Sequence, residues 1–204
     1  MSDITFLNLE LTDPEFLKSV RQERAALKKH IKKLQDSDRP SVSYVNATSE
    51  NRIHNAIVAT KRIIHIAGHG DPFGGIHSGD TELGNSRHKL AKFSDYLVDN
   101  NEYLDVDVVI LDSCWSSLYS WRRQIARIVG PGREMIIIGS ARKLSMDQAL
   151  EFFDNFYGEL LSRPLPKTRR ALSKRVYQAF EEAQRVYLTE HHWWSRLRIT
   201  TLVG

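Results

Sequence analysis

The sequence predicts an α/β fold, a mostly parallel central sheet with helices on both faces. Three observations lead there. Arg62 to Gly70 is a short apolar run ending in Gly-His-Gly, and Val106 to Cys114 is a second one ending in Asp-Ser-Cys. Both are rich in β-branched residues and too short for helices, so both are expected as buried strands. About thirty-five residues separate them, enough for the crossover that parallel strands require. Elsewhere, stretches of strand character alternate with stretches at helical spacing, the pattern of a sheet covered on both sides.

Taken in order, residues 1–12 carry Ile4, Phe6, Leu7, Leu9 and Leu11 without a clean period, an extra strand or a docking segment. Asp13-Pro14-Glu15 is a helix start, a capping aspartate followed by proline at the first helical position. Val20, Leu27, Ile31 and Leu34 then draw one apolar stripe, and lysines and arginines fill the other faces. The polar break from Gln35 to Pro40 divides the chain into an N-terminal strand and helix appendage, 1–38, and a main domain, 39–204. Val42 to Val45 reads as a strand. Thr48 caps a helix that runs to Lys61 with Ile53, Ile57 and Val58 inward. Residues 71–85, rich in Gly, Asp, Ser and Asn, form a loop over the carboxyl edge of the sheet. A helix from Arg87 to Val98 returns the chain to the Cys114 strand. Ser116 to Val129 is expected as helix, stopped by Gly130-Pro131-Gly132. Met135 to Ile138 is a buried strand ending at Gly139-Ser140. Two long helices follow, Ser145 to Leu161 and Lys167 to Leu188, divided by Pro164 and Pro166. Leu197 to Val203 alternates and closes the chain as a strand.

The bulk properties exclude several classes. The chain has 204 residues, 41% hydrophobic and 26% charged, which suits a soluble domain with a real core. Its net charge of +4 is spread along the chain and no recognition motif accompanies it, so direct nucleic-acid binding is not expected. One cysteine cannot form an internal disulfide and fits a reducing cytoplasm. The first residues lack the charged start and apolar stretch of a secretory signal, and no apolar run is long enough for a membrane span.

The chemistry is expected where the two strands end. In open α/β sheets, sites form just beyond the carboxyl ends of the strands. If the two strands are neighbours, His69 and Cys114 leave the sheet side by side. Cys114 stands just before an expected helix, whose amino end lowers a thiol pKa. His69 is placed to protonate a leaving amine. A glycine after the histidine lets backbone approach a substrate carbonyl, so the N–H groups of Gly70 and Cys114 are expected to form an oxyanion hole. Each residue alone also reads as structural, Cys114 as a buried thiol and His69 as a core histidine; their joint placement favours the catalytic reading. Asp112 lies two residues before Cys114, hence on the same strand face. A carboxylate there opposes a thiolate unless it awaits a cation, so it is expected to pair with an Arg or Lys of the substrate, Arg giving the two-pronged fit. Its alternative is a buried aspartate bonded to loop backbone. Trp115 and Trp121 wall the groove or pack in the core.

Other constellations are weaker. His65, His69 and Cys114 can be drawn as a zinc set, but strand spacing would hold the two histidines about 13 Å apart and a fourth ligand is missing. His191-His192 beside Trp193-Trp194 reads as packing. The glycines from Gly68 to Gly75 lack the Lys-Ser/Thr ending of a P-loop. Neither metal nor cofactor is expected.

Several segments occur in an order that is itself informative: Ala47-Thr48 before a helix, Ile64 to Gly70, Val109 to Cys114, Ile137 to Ser140, Asp147, Phe156-Tyr157, Ala171-Leu172, Trp194 and the closing Leu202 to Gly204. From Ala47 onward the chain resembles the CHAT domain, a branch of the caspase-like cysteine peptidases. The resemblance implies a caspase-like three-layer sandwich and a His69–Cys114 dyad acting on peptide bonds. Asp-Ser-Cys is closer to metacaspases and separases, whose aspartate here binds a basic residue, than to animal caspases. Members serve bacterial defence or cell death and are switched on by a partner, which implies a separately encoded regulator or activator. The expectation is a cysteine endopeptidase that cleaves protein substrates after Arg or Lys. The rival is a catalytically silent caspase-fold module that docks a partner through the basic N-terminal helix. Hydrolysis of a non-peptide ester or amide is a third reading.

Overall fold

The computed structural model describes residues 1–11, 13–47, 50–70, 75–77, 87–89, 103–114, 116–117, 119–191 and 197–203. Its strands are β1 (Ser2–Asn8), β2 (Val42–Asn46), β3 (Thr60–Ala67), β4 (His69–Gly70), β5 (Gly75–His77), β6 (Arg87–Lys89), β7 (Val108–Asp112), β8 (Glu134–Ser140) and β9 (Leu197–Val203). Its helices are α1 (Pro14–Lys32), α2 (Glu50–Val58), α3 (Tyr119–Ala126), α4 (Met146–Leu160) and α5 (Arg169–His191), and a short 3₁₀ turn spans Asp36–Asp38. Six strands form the main sheet in the order β2-β1-β3-β7-β8-β9. All its pairings are parallel except β8 with β9. A second, three-stranded antiparallel sheet holds β4, β5 and β6.

The central strands are buried on both faces, which is why they read as unbroken apolar runs. Ile63 of β3, Val108 and Ile110 of β7, and Ile136 and Ile138 of β8 face a core built with α1, α4 and α5. Ile64 and Ile66, Val109 and Leu111, and Met135 and Ile137 face a second core built with α2 and α3. The result is the three-layer α/β sandwich that the strand and helix pattern predicted. Ser145 starts α4 with a reciprocal capping box with Gln148.

The N-terminal region departs from expectation. Residues 1–38, expected as an appendage, share the core of the domain. β1 lies inside the sheet, between β2 and β3. Ile4 and Phe6 face one core and Leu7 and Leu9 the other, so no alternation between apolar and polar residues marks the strand. α1 lays Phe16, Val20, Leu27 and Ile31 on the sheet face shared with α4. The break at 35–40 is a surface connection, and the helix is not a free docking arm. The helix expected from Arg87 is a strand over Arg87–Lys89, and 90–98 lie outside the described residues. So do Thr48 and most of the expected loop 71–85. The helix after Cys114 begins at Tyr119 rather than Ser116.

Candidate active site

The pairing of β3 with β7 sets the site. Its register puts His65 beside Ile110 and Ala67 beside Asp112. The Gly68 N–H then donates to the Asp112 carbonyl at 3.2 Å, and the chain bends into β4. There His69-Gly70 meets Ser113-Cys114. The approach is tightest at Gly70, where an added Cβ would lie 2.2 Å from the Cys114 carbonyl oxygen and 2.6 Å from Ser113 Oγ. Only a residue without a side chain lets the two segments come this close.

The turn that carries Cys114 is fastened to β8. The buried Ser116 hydroxyl lies 2.9 Å from the Leu111 carbonyl and 2.8 Å from that of Ser113, and it accepts the Ser140 N–H at 2.9 Å. Ser117 N–H donates to the Ser140 carbonyl at 2.9 Å. Gly139 permits the contact, since a Cβ there would stand 2.8 Å from Ser116 Oγ. The half-buried Cys114 sulfur accepts the Leu144 N–H at 3.4 Å and faces the Leu144 carbonyl at 3.7 Å. Among the described residues, the backbone donor to the sulfur comes from the segment before α4.

His69 lies toward α1. Its ring packs on Phe16 at 4.6 Å, and its Nε2 is 3.4 Å from Asp13 Oδ2. Asp13 Oδ1 meanwhile caps α1, accepting the Glu15 and Phe16 N–H groups at 2.9 and 3.1 Å. The Phe16 N–H, then those of Glu15 and His69, hold the Asp13 carboxyl below its ordinary range. The contacts of His69 and of the Cys114 sulfur are with α1 and with the segment leading into α4, and both helices cover the same sheet face.

Asp112 turns into this face and is buried, but its partner is not loop backbone. It faces Glu23 of α1, itself buried, with one oxygen from each carboxyl within 4.8 Å of the other. Burial pushes both carboxyls up, and the Asp112 charge raises Glu23 further. His65 lies below them, stacked on Phe6 at 4.2 Å, with Nδ1 2.7 Å from the Tyr157 hydroxyl. Burial pushes its pKa down to about 3, so the ring is neutral. Among the described residues, Glu23, His65 and Asp112 are the one group of three that brings metal-ligating atoms together. His65, His69 and Cys114 do not form such a group among the described residues. Trp121 is buried in the α2/α3 core rather than in a groove wall. Trp115, Trp193 and Trp194 lie outside the described residues, as does His192.

Sequence reasoning missed the part α1 plays. In the sequence Asp13 reads only as a cap, and Glu23 reads as one more charged residue of the helix. The signal for Glu23 was the gap of seven in the apolar stripe between Val20 and Leu27: the position that completes the stripe is an acid. Ser116 and Leu144 carry no pattern of their own.

No family model matches this chain, and no curated protein matches it in sequence. Solved structures do. The secreted C11 cysteine protease iotapain from Bacteroides thetaiotaomicron superposes with a TM-score of 0.60 at 13% identity, over 97% of this chain and 65% of that one. An inactive zymogen C11 protease from Parabacteroides distasonis gives 0.60 at 13% identity, over 92% and 58%. The Arg-specific cysteine proteinase gingipain R gives 0.56 at 8% identity, over 93% and 43%. This chain spans less than two thirds of each. At such identities the similarity establishes the fold, the caspase-like α/β sandwich.

Proposed function

We propose that this chain is a cysteine endopeptidase with Cys114 as nucleophile and His69 as general acid and base. The observation that carries this reading is the contact of Gly70 with Cys114, which joins the Gly-His-Gly segment to the one cysteine at the carboxyl edge of the sheet. The sulfur adds to a substrate carbonyl carbon. The C–N bond breaks as His69 gives its proton to the leaving amine, and water then hydrolyses the thioester. The N–H groups of Gly70 and Cys114 are assigned to the oxyanion, at about 10²–10³ in rate for each donor. Asp112 is assigned to a basic residue before the cut and Trp115 to the groove wall. The burial of a second carboxyl beside Asp112 supports a cationic partner there, and a proteinase of the same fold is Arg-specific.

Within this fold class the order of segments from Ala47 to Gly204 supports a CHAT-type peptidase acting on protein substrates. It would be controlled by a separately encoded partner in a bacterial defence or cell-death pathway. The single cysteine supports a cytoplasmic setting, and no described helix is long and apolar enough to cross a membrane. The silent docking module has less support, because His69, Gly70 and Cys114 are all present and their segments meet at one sheet edge.

A thiol-reactive peptide probe ending in Arg tests the reading. The wild-type chain is expected to become labelled and Cys114→Ala to stay unlabelled. Failure to label the wild type, or equal labelling of the variant, would sink the peptidase reading. Equal labelling by the same peptide ending in Asp would remove only the assignment of Asp112.

Asp13 is assigned as a positioning residue. With Nε2 of His69 facing Asp13, Nδ1 is the nitrogen left for the thiol chemistry. Asparagine caps a helix as well as aspartate does, so Asp13→Asn keeps α1 and removes only the charge. Buried aspartates in this role matter by several orders of magnitude; this pair is half-exposed, so kcat is expected to fall about tenfold with KM and melting temperature unchanged. An unchanged kcat would show that Asp13 is a cap and nothing more.

A further inference from the structure

The Glu23–His65–Asp112 cluster lies outside the chemistry of Cys114 and His69, and it is costly. Glu23 is 1% exposed, His65 0% and Asp112 6%. Two carboxyls and an imidazole have been drawn out of water by three separate elements, α1, β3 and β7. Burial of such groups is tolerated when partners saturate them. Here they do not. Glu23 Oε2 and His65 Nε2 face each other at 3.7 Å, beyond hydrogen-bond length, and neither atom has a hydrogen-bond partner among the described residues. Ser19 donates its hydroxyl to the other Glu23 oxygen, Oε1, at 3.4 Å, which leaves Oε2 unanswered.

The imidazole is prepared for a ligand. Phe6 and Phe153 fix the ring plane, and Nδ1 is tied to the Tyr157 hydroxyl at 2.7 Å. In the tautomer that carries the ring proton on Nδ1, toward the Tyr157 hydroxyl, Nε2 presents a bare lone pair. This is the arrangement of a metal-ligating histidine, whose second nitrogen is held by an outer partner. One donor atom from each of the three residues lies within 4.8 Å of the others. Donors on a cation with bonds of about 2.0–2.2 Å stand about 3–3.6 Å apart, so a small contraction closes the set. Two carboxylates balance a dication. The imidazole disfavours Ca²⁺ and Mg²⁺, and the lack of sulfur disfavours Cu⁺, which leaves the divalent first-row metals.

We propose that Glu23, His65 and Asp112 form a binding site for a first-row divalent cation, with Zn²⁺ as the representative ion. The fourth ligand comes from outside this set. One consequence rests on the peptidase reading: Asp112 cannot hold the ion and a basic substrate side chain at once, so the ion and a substrate ending in Arg exclude each other. The site itself does not depend on that reading.

The test uses the untagged full chain carrying Cys114→Ala, so that no thiol competes and no peptidase activity is needed. The chain is stripped with chelator, equilibrated with micromolar Zn²⁺, desalted and measured by elemental analysis, with titration calorimetry for affinity. One equivalent of tightly bound zinc is expected, with no comparable binding of Mg²⁺. Glu23→Gln and Asp112→Asn, both near-isosteric, are expected to weaken binding at least about tenfold, and Tyr157→Phe by about tenfold through the ring it orients. Circular dichroism verifies that each variant is folded, and two ligand variants are used so that loss of one leaves a result. No bound zinc in the Cys114→Ala chain, or zinc affinity unchanged in both ligand variants, would overturn the site. Peptide labelling of the wild type is scored separately, so the peptidase reading can fail while the metal site stands, and the reverse.

Discussion

Gly70→Ala is expected to lower kcat/KM at least about a hundredfold while leaving the chain folded. The added methyl would sit 2.2 Å from the Cys114 carbonyl oxygen, a separation no real contact tolerates, so one segment must move. The Cys114 turn is the stiffer of the two. Ser116 bonds it to Leu111, Ser113 and Ser140, and Ser117 bonds it again to Ser140. β4 is a two-residue strand at the edge of a small sheet and gives way. His69 moves with it, and a misplacement of about 1 Å at a reacting group costs about 10² in rate. Steady-state kinetics on the best labelled peptide sequence measure the loss. Alkylation of Cys114 by iodoacetamide in the same variant verifies that the thiol is still present and accessible. Wild-type kcat/KM in Gly70→Ala would mean that the meeting of the two segments is not what makes the site.

Asp107→Ala is expected to lower folding stability by about 3 kcal/mol without changing Cys114 alkylation. Asp107 is 7% exposed and sits between two guanidiniums, Arg62 Nε at 2.6 Å and Arg169 Nε at 2.5 Å. Arg62 also donates to the Pro166 carbonyl at 2.8 Å, so it is committed to this place. Removing the carboxylate leaves a largely buried cation without its counter-charge, which costs about 3–5 kcal/mol in buried pairs; the half-exposed Arg169 recovers part of that from water. The residue lies just before β7 starts, at the end opposite Cys114. Urea unfolding measures the stability, and Asp107→Asn, which keeps some hydrogen bonding, is expected to fall between the two. A loss below about 1 kcal/mol would show that the bridge is replaceable.

These two residues also show what was readable in advance. The Arg62 to Gly70 and Val106 to Cys114 runs were legible because strands buried on both faces need apolar residues at every position, whatever surrounds them. Leu197–Val203 was legible for the opposite reason: an edge strand exposed on one face alternates. Capping chemistry is local, so Asp13-Pro14 marked the start of α1 within a residue. β1 was not legible as an internal strand. Its side chains divide between two cores, and that division exists only once β2 and β3 are in place. Glu23 was hidden in the same way, since a single acid in an apolar stripe acquires meaning only from what faces it.

The amino-acid sequence alone determined the α/β class and the two strand ends that carry imidazole and sulfur. These follow from burial periodicity and backbone sterics, which act over a few residues. Only the tertiary structure decided that α1 belongs to the domain, that Asp13 faces His69, that Ser116 and Leu144 hold the Cys114 turn and its sulfur, and that Glu23, His65 and Asp112 share one buried space. Ser116 reaches Ser140 across 24 positions and Cys114 reaches Leu144 across 30, and no local pattern encodes which partner a folded chain brings to a given side chain.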